Sequence, residues 1–492
     1  MWPLVCVAPA PVWALSLGAG SRTAFARGWL YGLGFFGTLL WWIVPTVVGY
    51  GNLPAAAGVG CLLALAAYLA LYPALGCAAV GAVARRSPTW ALILAPLTWT
   101  GLEGLRGLLL TGFPWGDLPQ ALWKTRLALL PAPWVGIDGV RLILAGFATG
   151  ACWALARWLG RAPLSPRGLI PWGLSCAAWG LLCALPSPLG PPKGEVEVAV
   201  VQGNIEQAQK WDPAFRSQTL DVYAQLSRSV AKAQPKLVVW PETAAPFYAQ
   251  EPGPERGRIE SLAQELGAFV VFGAPAYARG PAAKVEYRNA VFLMDPQGRL
   301  AGRYDKVRLV PFGEYVPFSR YLPFVKKLVQ GAGDFTSGPR VETLRGGPDL
   351  PILGPLICFE VIFPSVAEAH VRQGAQVLVV VTNDGWFGRT PGPFQHLAFA
   401  AWRAAEAGLP LVRAANTGIS AVFDAAGGLV RDTKLLERAA FTARVPFREA
   451  KPMPQQRVRP WVTPTCLALA CLVVFVTLRR PGTQPNLQPP KG

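Results

Sequence analysis

The sequence predicts an integral membrane bundle of helices joined to an α/β domain, and two observations support this fold class. Hydrophobic residues make up 52% of the chain and charged residues only 15%, which is unusual for a water-soluble protein. The charges are also unevenly placed: residues 28–84 contain no Asp, Glu, Lys or Arg, whereas all four are frequent after residue 193. The chain therefore divides into a membrane part and a polar part.

Seven apolar runs are predicted membrane helices, since about 20 predominantly apolar residues are needed to cross the hydrocarbon core. They lie at 3–20, 28–48, 53–83, 88–111, 133–157, 168–186 and 463–478, and the first and last are short. A buried core of soluble helices is the alternative, but uncharged runs of this length are rare outside membranes. We expect about six helices within 1–190, a C-terminal helix at 460–480 and a disordered cytoplasmic tail at 481–492.

Basic residues mark alternate connections between the predicted membrane helices. They are Arg22, Arg27, Arg85, Arg86, Arg157, Arg161, Arg167, Arg479 and Arg480. The positive-inside rule places these connections in the cytoplasm, so the segment from about 190 to 460 faces outward. The net charge of +18 then reflects topology and attraction to anionic lipid; nucleic acid is not an expected partner, because no stacking or groove-reading motif accompanies the charge.

The outward segment alternates short apolar strands with helical patterns. The strands are predicted at "VEVAVVQGN", "KLVVWPE", "AFVVFGAPAY", "YRNAVFLMDPQG", "PLICFE", "QVLVVVTND" and "AVFDAAGGLV", and the clearest helices at 212–234, 254–266 and 394–407. Continuous apolar strands flanked by helices indicate a buried α/β sheet.

One cysteine is set apart from the others by its place in the chain. Eight of the nine cysteines lie in predicted membrane helices, which leaves Cys358 alone in the outward domain. A single cysteine is most often a small buried hydrophobe. A thiol without a disulfide partner in an oxidising compartment is also a candidate reactive residue.

Three predicted strands end in side chains that could carry out chemistry. "LVVWPETAAP" supplies Glu242, "GRYDKVRLVPFGEYVPF" supplies Lys306 and then Glu314, and "PLICFEVIFP" supplies Cys358. Taken singly, each is better explained as a surface charge, a cap or core filler. Together they are the parts of a thiol acyl transfer: a cysteine nucleophile, a carboxylate base and a cation for the oxyanion.

Histidine and metal chemistry have less support in the sequence. The chain has two histidines, His370 and His396, and neither stands at a predicted strand end, so both are interpreted as structural. Two histidines and one cysteine outside the membrane do not make a zinc set, so no metal is predicted. "GAGDFTSG" and "FDAAGG" are turns without the fingerprint of a phosphate loop, and no cofactor is expected.

The motifs around these residues point to a family. "WPETA", "DKVRLVPFGEYVPF" and "ICFEVIFP", in that order, resemble the glutamate, lysine and cysteine motifs of the nitrilase superfamily of carbon–nitrogen hydrolases. With the membrane helices, "LTGFPW" and "TNDGWFG", essentially the whole chain is similar to the apolipoprotein N-acyltransferase family. This resemblance implies a nitrilase-like α-β-β-α sandwich at 195–450, with Cys358 as nucleophile, Glu242 as general base and Lys306 stabilising the oxyanion.

The resemblance also implies roles for further residues. Glu314 and Glu360 would support catalysis, and the candidate substrate-binding residues are Trp211, Asn289, Phe359, Trp386 and Phe387. Trp386, Phe387 and the phenylalanines of "YVPFSRYLPF" would also form loops that dip into the bilayer. Core packing is the alternative interpretation of these aromatic residues, and of Trp211.

Two departures from the family pattern stand out. Phe359 occupies a position where the family commonly has tyrosine, so any function of that hydroxyl is lost. The family usually has eight membrane helices and this chain shows seven, the missing one being at the N-terminus. A start codon assigned too far downstream would explain the difference.

The activity implied by the resemblance is the last step of bacterial lipoprotein maturation. A phospholipid, typically phosphatidylethanolamine, would acylate Cys358, and the resulting thioester would be transferred to the α-amine of a diacylglyceryl apolipoprotein. The enzyme would be a multi-pass monomer of the cytoplasmic (inner) membrane with its catalytic domain on the periplasmic side. Two alternatives stay open: a membrane-tethered nitrilase-type amidase that hydrolyses a small amide, and a transporter or binding scaffold without chemistry.

Overall fold

A computed structural model describes residues 2–51, 53–160, 164–206, 212–280, 285–317 and 335–479. Within these ranges the chain forms a helical bundle and a domain of two stacked sheets, which we call the sheet domain (residues 194–447). The predicted fold class is confirmed. The predicted tail at 481–492 lies outside the described residues.

The bundle contains eight α-helices before the sheet domain and one after it, counted over the described ranges. They are α1 (Ala10–Ser16), α2 (Ser21–Leu39), α3 (Ile43–Gly51), α4 (Ala55–Ala84), α5 (Pro88–Arg106), α6 (Arg126–Leu129), α7 (Ala132–Trp158), α8 (Ile170–Ala184) and, after the sheet domain, the helix Gln455–Arg479. The run predicted at 28–48 is divided between two helices, because α2 and α3 are bent by 54° relative to each other. The run predicted at 88–111 stops being α-helical at Arg106.

Not every helix of the bundle has the length and composition of a span. Among the described residues, α4, α7 and the helix Gln455–Arg479 are long and apolar enough to cross a membrane, and the bent α2–α3 pair would make a fourth. Helices α1 and α8 have 7 and 15 residues, and α5 carries Glu103 and Arg106. The total of seven spans therefore stays a prediction.

The last helix of the bundle lies in a groove between α5 and α7. It begins at Gln455, eight residues before the predicted run. That run was identified by its apolarity, so the polar first two turns of the helix were not included in it. Two glycines on α5 allow the close approach: a β-carbon at Gly104 would lie 2.0 Å from Oγ1 of Thr463, and one at Gly101 would lie 2.8 Å from the side chain of Leu467. The chain therefore closes the bundle with its final described element.

The sheet domain contains a six-stranded and a five-stranded sheet, with strand orders β11-β1-β2-β3-β4-β5 and β10-β9-β8-β7-β6. The strands are β1 (Gly194–Gln202), β2 (Leu237–Val239), β3 (Phe269–Arg279), β4 (Val285–Met294), β5 (Leu300–Asp305), β6 (Leu353–Ile357), β7 (Val377–Thr382), β8 (Leu411–Ala415), β9 (Ala421–Phe423), β10 (Leu429–Asp432) and β11 (Ala439–Phe447). The predicted strands lack β5, β8 and β11, although Lys306 was correctly expected at a strand end. Its single strand at 421–430 is wrong, because Asp424 accepts backbone hydrogen bonds from Ala426 and Gly428 and turns the chain into a hairpin.

The two sheets stack face to face and are covered by helices on both outer faces. Valines of β1, β2 and β3 meet valines of β7, β8 and β9 in the inner layer. Helices α9 (Arg216–Ser229) and α10 (Pro254–Leu266) cover the six-stranded sheet. Helices α11 (Pro364–Arg372) and α12 (Gly392–Ala407) cover the five-stranded sheet. This is the α-β-β-α sandwich that the resemblance implied, and we number the helix Gln455–Arg479 as α13.

The outer face of the five-stranded sheet is also the face that meets the bundle. Buried side chains of α2, α4 and the segment after α5 join those of α11 and α12 in one hydrophobic cluster. Phe36 and Trp115, for example, belong to the same cluster as Ile362 and Phe399. The sheet domain therefore rests directly on the helical bundle through α11 and α12.

Candidate active site

The predicted acid, lysine and cysteine come together at one edge of the sandwich. Glu242 follows β2, Lys306 follows β5 and Cys358 follows β6, so three strand ends supply them. Nζ of Lys306 lies 3.8 Å from Oε1 of Glu242, and the Cys358 thiol is close enough for both charges to act on it. All three side chains are buried.

Two further side chains connect the acid and the lysine. Lys306 donates a hydrogen bond to Oε1 of Glu314 at 2.9 Å, and the backbone N–H of Val310 donates to the other oxygen of that carboxylate at 2.8 Å. The amide nitrogen of Asn289 donates to Glu242 at 2.8 Å and to Glu314 at 2.9 Å. The contacts of Asn289 hold the two carboxylates at a fixed separation, and its predicted binding of substrate stays a prediction.

The backbone at Cys358 is in an uncommon conformation. Its φ of 50° is in the left-handed region, and the residue joins β6 to a short 3-10 helix, Cys358–Ile362. Thr243, next to Glu242, and Asp384, after β7, have φ values of 50° and 56°. A side chain with a β-carbon in this region costs about 1–3 kcal/mol, and such residues cluster at functional sites. The sharp turn presents the thiol at the end of its strand.

The surroundings of the thiol favour its neutral form at rest. Burial raises the pKa of the Cys358 thiol well above its ordinary value, the Glu242 carboxylate raises it further, and the Lys306 ammonium opposes both. Burial would lower the pKa of Lys306, but Glu314 and Glu242 raise it, so the lysine is a permanent cation. A base must therefore remove the thiol proton during the reaction, and Glu242 is the carboxylate beside it.

Glu360, predicted to support catalysis, accepts four hydrogen bonds beside the site, and its part in the reaction stays a prediction. It accepts hydrogen bonds from the backbone N–H groups of Ile357, Val307 and Arg308 at 2.8, 2.7 and 3.1 Å, and from the hydroxyl of Tyr304 at 2.9 Å. Burial raises its pKa to about 7, although these donors favour the carboxylate. Glu360 thus ties the chain around Lys306 to the strand that carries the nucleophile.

A polar group that the sequence analysis did not predict lies directly behind Cys358. The ring of His396, on α12, is 2.8 Å from Oδ1 of Asp384 through Nδ1 and 3.2 Å from the Cys358 carbonyl oxygen through Nε2. Arg413, on β8, donates to the other oxygen of Asp384 at 2.5 Å. We call these three residues the histidine cluster. Asp384 stood in the quoted motif "TNDGWFG", which was the available signal.

Aromatic residues from the bundle reach the same place. Trp42 lies at the bend between α2 and α3, and Trp115 belongs to "LTGFPW". Both indole N–H groups donate to Oε1 of Gln395, at 3.0 and 2.7 Å. The Phe387 ring centroid lies 4.8 Å from that of Trp42 and 6.0 Å from that of the His396 ring. The "LTGFPW" motif therefore enters the site through Trp115.

The remaining sequence candidates have separate outcomes. Trp386 and Phe387 are half-buried, and the Trp386 ring lies 4.8 Å from that of Tyr50, so this loop packs against the bundle. Its predicted contacts with substrate and bilayer stay predictions. Phe359 is partly exposed beside the nucleophile and its ring lies 5.2 Å from that of Phe363. Trp211 and the phenylalanines at 318 and 324 lie outside the described residues.

Two family models match the chain. A carbon-nitrogen hydrolase model matches residues 197–455, and the model of an apolipoprotein N-acyltransferase N-terminal domain matches residues 1–150. The boundary between the two matches agrees with the division between sheet domain and bundle.

Curated relatives match over nearly the full length of the chain. An apolipoprotein N-acyltransferase of Geobacter metallireducens is 39% identical over 97% of this chain and 91% of the relative. One of Pseudomonas syringae is 33% identical over 96% of this chain and 91% of its own. Among solved structures, an amidase from Nesterenkonia sp. is 21% identical, with a TM-score of 0.40 over 55% of this chain and 95% of the amidase.

Proposed function

Because this chain belongs to the apolipoprotein N-acyltransferase family, we propose that it transfers an acyl chain from a membrane phospholipid to the N-terminus of an apolipoprotein. The acceptor is the α-amino group of an S-diacylglyceryl-cysteine, and the donor is phosphatidylethanolamine. The observation that carries the proposal is the convergence of Glu242, Lys306 and Cys358 beside an aromatic cluster contributed by the bundle.

The first half-reaction forms a thioester. Glu242 takes the proton from the Cys358 thiol as the sulfur attacks the ester carbonyl of the phospholipid, and the Lys306 ammonium stabilises the oxyanion. When the tetrahedral intermediate collapses, Glu242 returns the proton to the departing alcohol oxygen. A lysophospholipid leaves, and the acyl chain stays on the sulfur.

The second half-reaction makes the amide by the same groups. The amine of the apolipoprotein attacks the thioester carbonyl while Glu242 accepts its proton. The sulfur then leaves, takes up that proton and restores the resting thiol. Glu314 and Asn289 support both steps because they fix Lys306 and Glu242 relative to each other.

The position of the site suits two lipid substrates. The buried surroundings of Cys358 limit access of water to the thioester, and the adjoining cluster of bundle aromatics offers an apolar path for acyl chains. We propose that residues 1–190 and 460–480 span the bacterial cytoplasmic membrane and that the catalytic domain at 195–450 lies on the periplasmic side. The arginines on alternate connections support this orientation.

Intact-protein mass spectrometry after incubation with phosphatidylethanolamine alone tests the proposal. The expected result is one added acyl mass that hydroxylamine removes and that is absent from Cys358→Ala. The matched control is Cys471→Ala, which removes an exposed thiol of α13 and should keep the adduct. Folded, lipid-accessible enzyme that gains no acyl mass but hydrolyses a small amide would instead establish the membrane-tethered amidase.

A further inference from the structure

Arg308 is an exposed cation beside the active site that has no anionic partner. It stands two residues after Lys306, and its side chain is exposed whereas that of Lys306 is buried. Over the ranges that the structure describes, the Arg308 guanidinium makes neither an ion pair nor a hydrogen bond. Most exposed arginines are solvated surface charges, so the surroundings of this side chain decide whether it does more.

The backbone of Arg308 is tied to the strand that carries the nucleophile. Its N–H donates to Oε1 of Glu360 at 3.1 Å, and the other oxygen of that carboxylate accepts from the N–H of Ile357 at 2.8 Å. Ile357 is the last residue of β6 and immediately precedes Cys358. The backbone positions of Arg308 and Cys358 are therefore fixed relative to each other through one buried carboxylate.

The guanidinium rests on an aromatic ring. Its Cζ lies 5.4 Å from the ring centroid of Phe363, and the Phe363 ring lies 5.2 Å from that of Phe359, the residue after the nucleophile. A guanidinium that rests on a ring keeps its N–H donors available, because the attraction to the ring uses the charge and not these donors. The side chain is thus held near the nucleophile with its donors free to bind an anion.

The same ring belongs to the hydrophobic cluster between the sheet domain and the bundle. Phe363 is 6% exposed and shares this cluster with Phe36 and Trp115 of the bundle. The cluster is the apolar path proposed above for acyl chains. Because Arg308 is exposed and rests on a buried member of the cluster, it lies where this apolar surface meets solvent, as the polar head of a bound lipid would.

The phospholipid donor carries an anion close to its reacting ester. When the acyl chain lies in the cluster and the ester carbonyl lies at the thiol, only the glycerol unit separates the carbonyl from the phosphodiester. A planar guanidinium can bind two phosphate oxygens at once. Lys306 is not available for this anion, because Glu314 and Glu242 already pair with it. The lipid group of the acceptor has no phosphate, and its α-amine, when protonated, would be repelled by Arg308.

We propose that Arg308 binds the phosphodiester of the phospholipid donor and thereby makes the enzyme select glycerophospholipids over neutral acylglycerols. The inference rests on the proposed acyl transfer and deepens it by naming the group that recognises the donor. Recognition is of the phosphate, whichever alcohol is esterified to it, so phosphatidylethanolamine and phosphatidylglycerol should both depend on Arg308.

Competition between two donors measures this selectivity directly. The enzyme is incubated with equal amounts of phosphatidylethanolamine and diacylglycerol whose acyl chains differ in mass, and intact-protein mass spectrometry shows which donor acylated Cys358. The chains are then exchanged between the donors, which removes any preference for one chain. Because both donors compete for the same enzyme, the ratio of the two adducts does not change with a partial loss of activity or of folded protein.

We expect Arg308→Gln to lower the ratio of phosphatidylethanolamine-derived to diacylglycerol-derived adduct about 10- to 10²-fold, as for loss of a hydrogen bond to a charged group. Arg308→Lys keeps the charge and should lower the ratio less. The matched control is Arg431→Gln, which should keep the wild-type ratio. Arg431 is also exposed and rests on a ring, that of Phe441, but it lies on β10, at the opposite edge of the five-stranded sheet from β6. An unchanged ratio in Arg308→Gln would overturn the inference.

Lipid binding to the Cys358→Ala variant tests the inference without acyl transfer. Lysophosphatidylethanolamine and monoacylglycerol with the same chain differ only in the phosphate head group, and native mass spectrometry measures how much of each is bound. Adding Arg308→Gln should weaken binding of the lysophospholipid about 10-fold or more and leave that of monoacylglycerol little changed. Equal weakening of both would show that Arg308 only shapes the site. A wild type that forms no thioester with either donor would refute the proposed function, whereas this binding result would still decide the role of Arg308.

Discussion

Lys306 and Glu314 form a buried ion pair with a hydrogen bond of 2.9 Å, in which the lysine is 1% and the glutamate 13% exposed. This contact is shorter than the 3.8 Å between Lys306 and the proposed base, Glu242. Glu314 is thus the anchor of the lysine, while Glu242 makes the longer contact with it.

Removing the anchor should cost activity. We expect Glu314→Gln to lower the rate of thioester formation about 10²-fold or more, because the ammonium loses the anion that holds it in place. Single-turnover mass spectrometry measures this rate. The control is Glu265→Gln, which breaks an exposed pair with Arg228 and should change neither rate nor stability appreciably. Equal rates for both variants would contradict the anchoring role.

Asn289→Asp should slow thioester formation. The change replaces a donor shared by Glu242 and Glu314 with a third carboxylate. The three carboxylates then repel one another, so Glu242 and Lys306 lose their fixed relative position, at a cost of about 10²-fold in rate. Asn289→Ala removes the donor without adding a charge and should cost less. Single-turnover mass spectrometry measures both rates, and equal rates for the two variants would refute this explanation.

Glu360 makes stability depend on pH in a defined direction. Its folded pKa of about 7 lies above its unfolded value, so the folded chain binds more protons between about pH 4.3 and pH 7. Stability from this group is fully present below that window and is lost as pH rises through it, by at most about 4 kcal/mol. Glu360→Gln should flatten this part of the profile. Thermal unfolding in detergent between about pH 4.3 and pH 7 measures the stability of both proteins. Parallel stability profiles for wild type and Glu360→Gln would contradict the assigned role of Glu360.

Gln395 should prove important for joining the bundle to the sheet domain. Gln395→Leu would leave the indole N–H groups of Trp42 and Trp115 without their acceptor, at a cost of about 1–3 kcal/mol each. We expect a lower unfolding temperature and slower thioester formation. Gln264→Leu makes the same chemical change at an exposed position of α10 and should have little effect. The role assigned to Gln395 fails if the two variants unfold alike.

The candidate catalytic residues could be predicted from the sequence, because each of them follows a strand. Chemistry in α/β folds collects at strand ends, which singled out Glu242, Lys306 and Cys358. Their convergence could not be derived, because Cys358 follows a strand of the other sheet. The α-β-β-α layering needed the family resemblance, because apolar strands alone do not reveal that they divide into two sheets.

Contacts between distant segments could not be predicted in this way. Trp42 and Gln395 are 353 residues apart, and His396 looked like an ordinary helix residue because its position relative to Cys358 depends on how α12 packs on the sheet. Periodicity identifies a buried face without naming what covers it. The bend after α2 was likewise missed, since apolarity continues unbroken through Leu40 and Trp42.

The position of α13 constrains the order in which the enzyme can be built. This helix fills the groove between α5 and α7, yet it is synthesised only after the whole sheet domain. During translation, Gly101 and Gly104 therefore stay uncovered while some 260 residues are synthesised before α13. A chain that ends within the sheet domain would lack the helix that fills this groove.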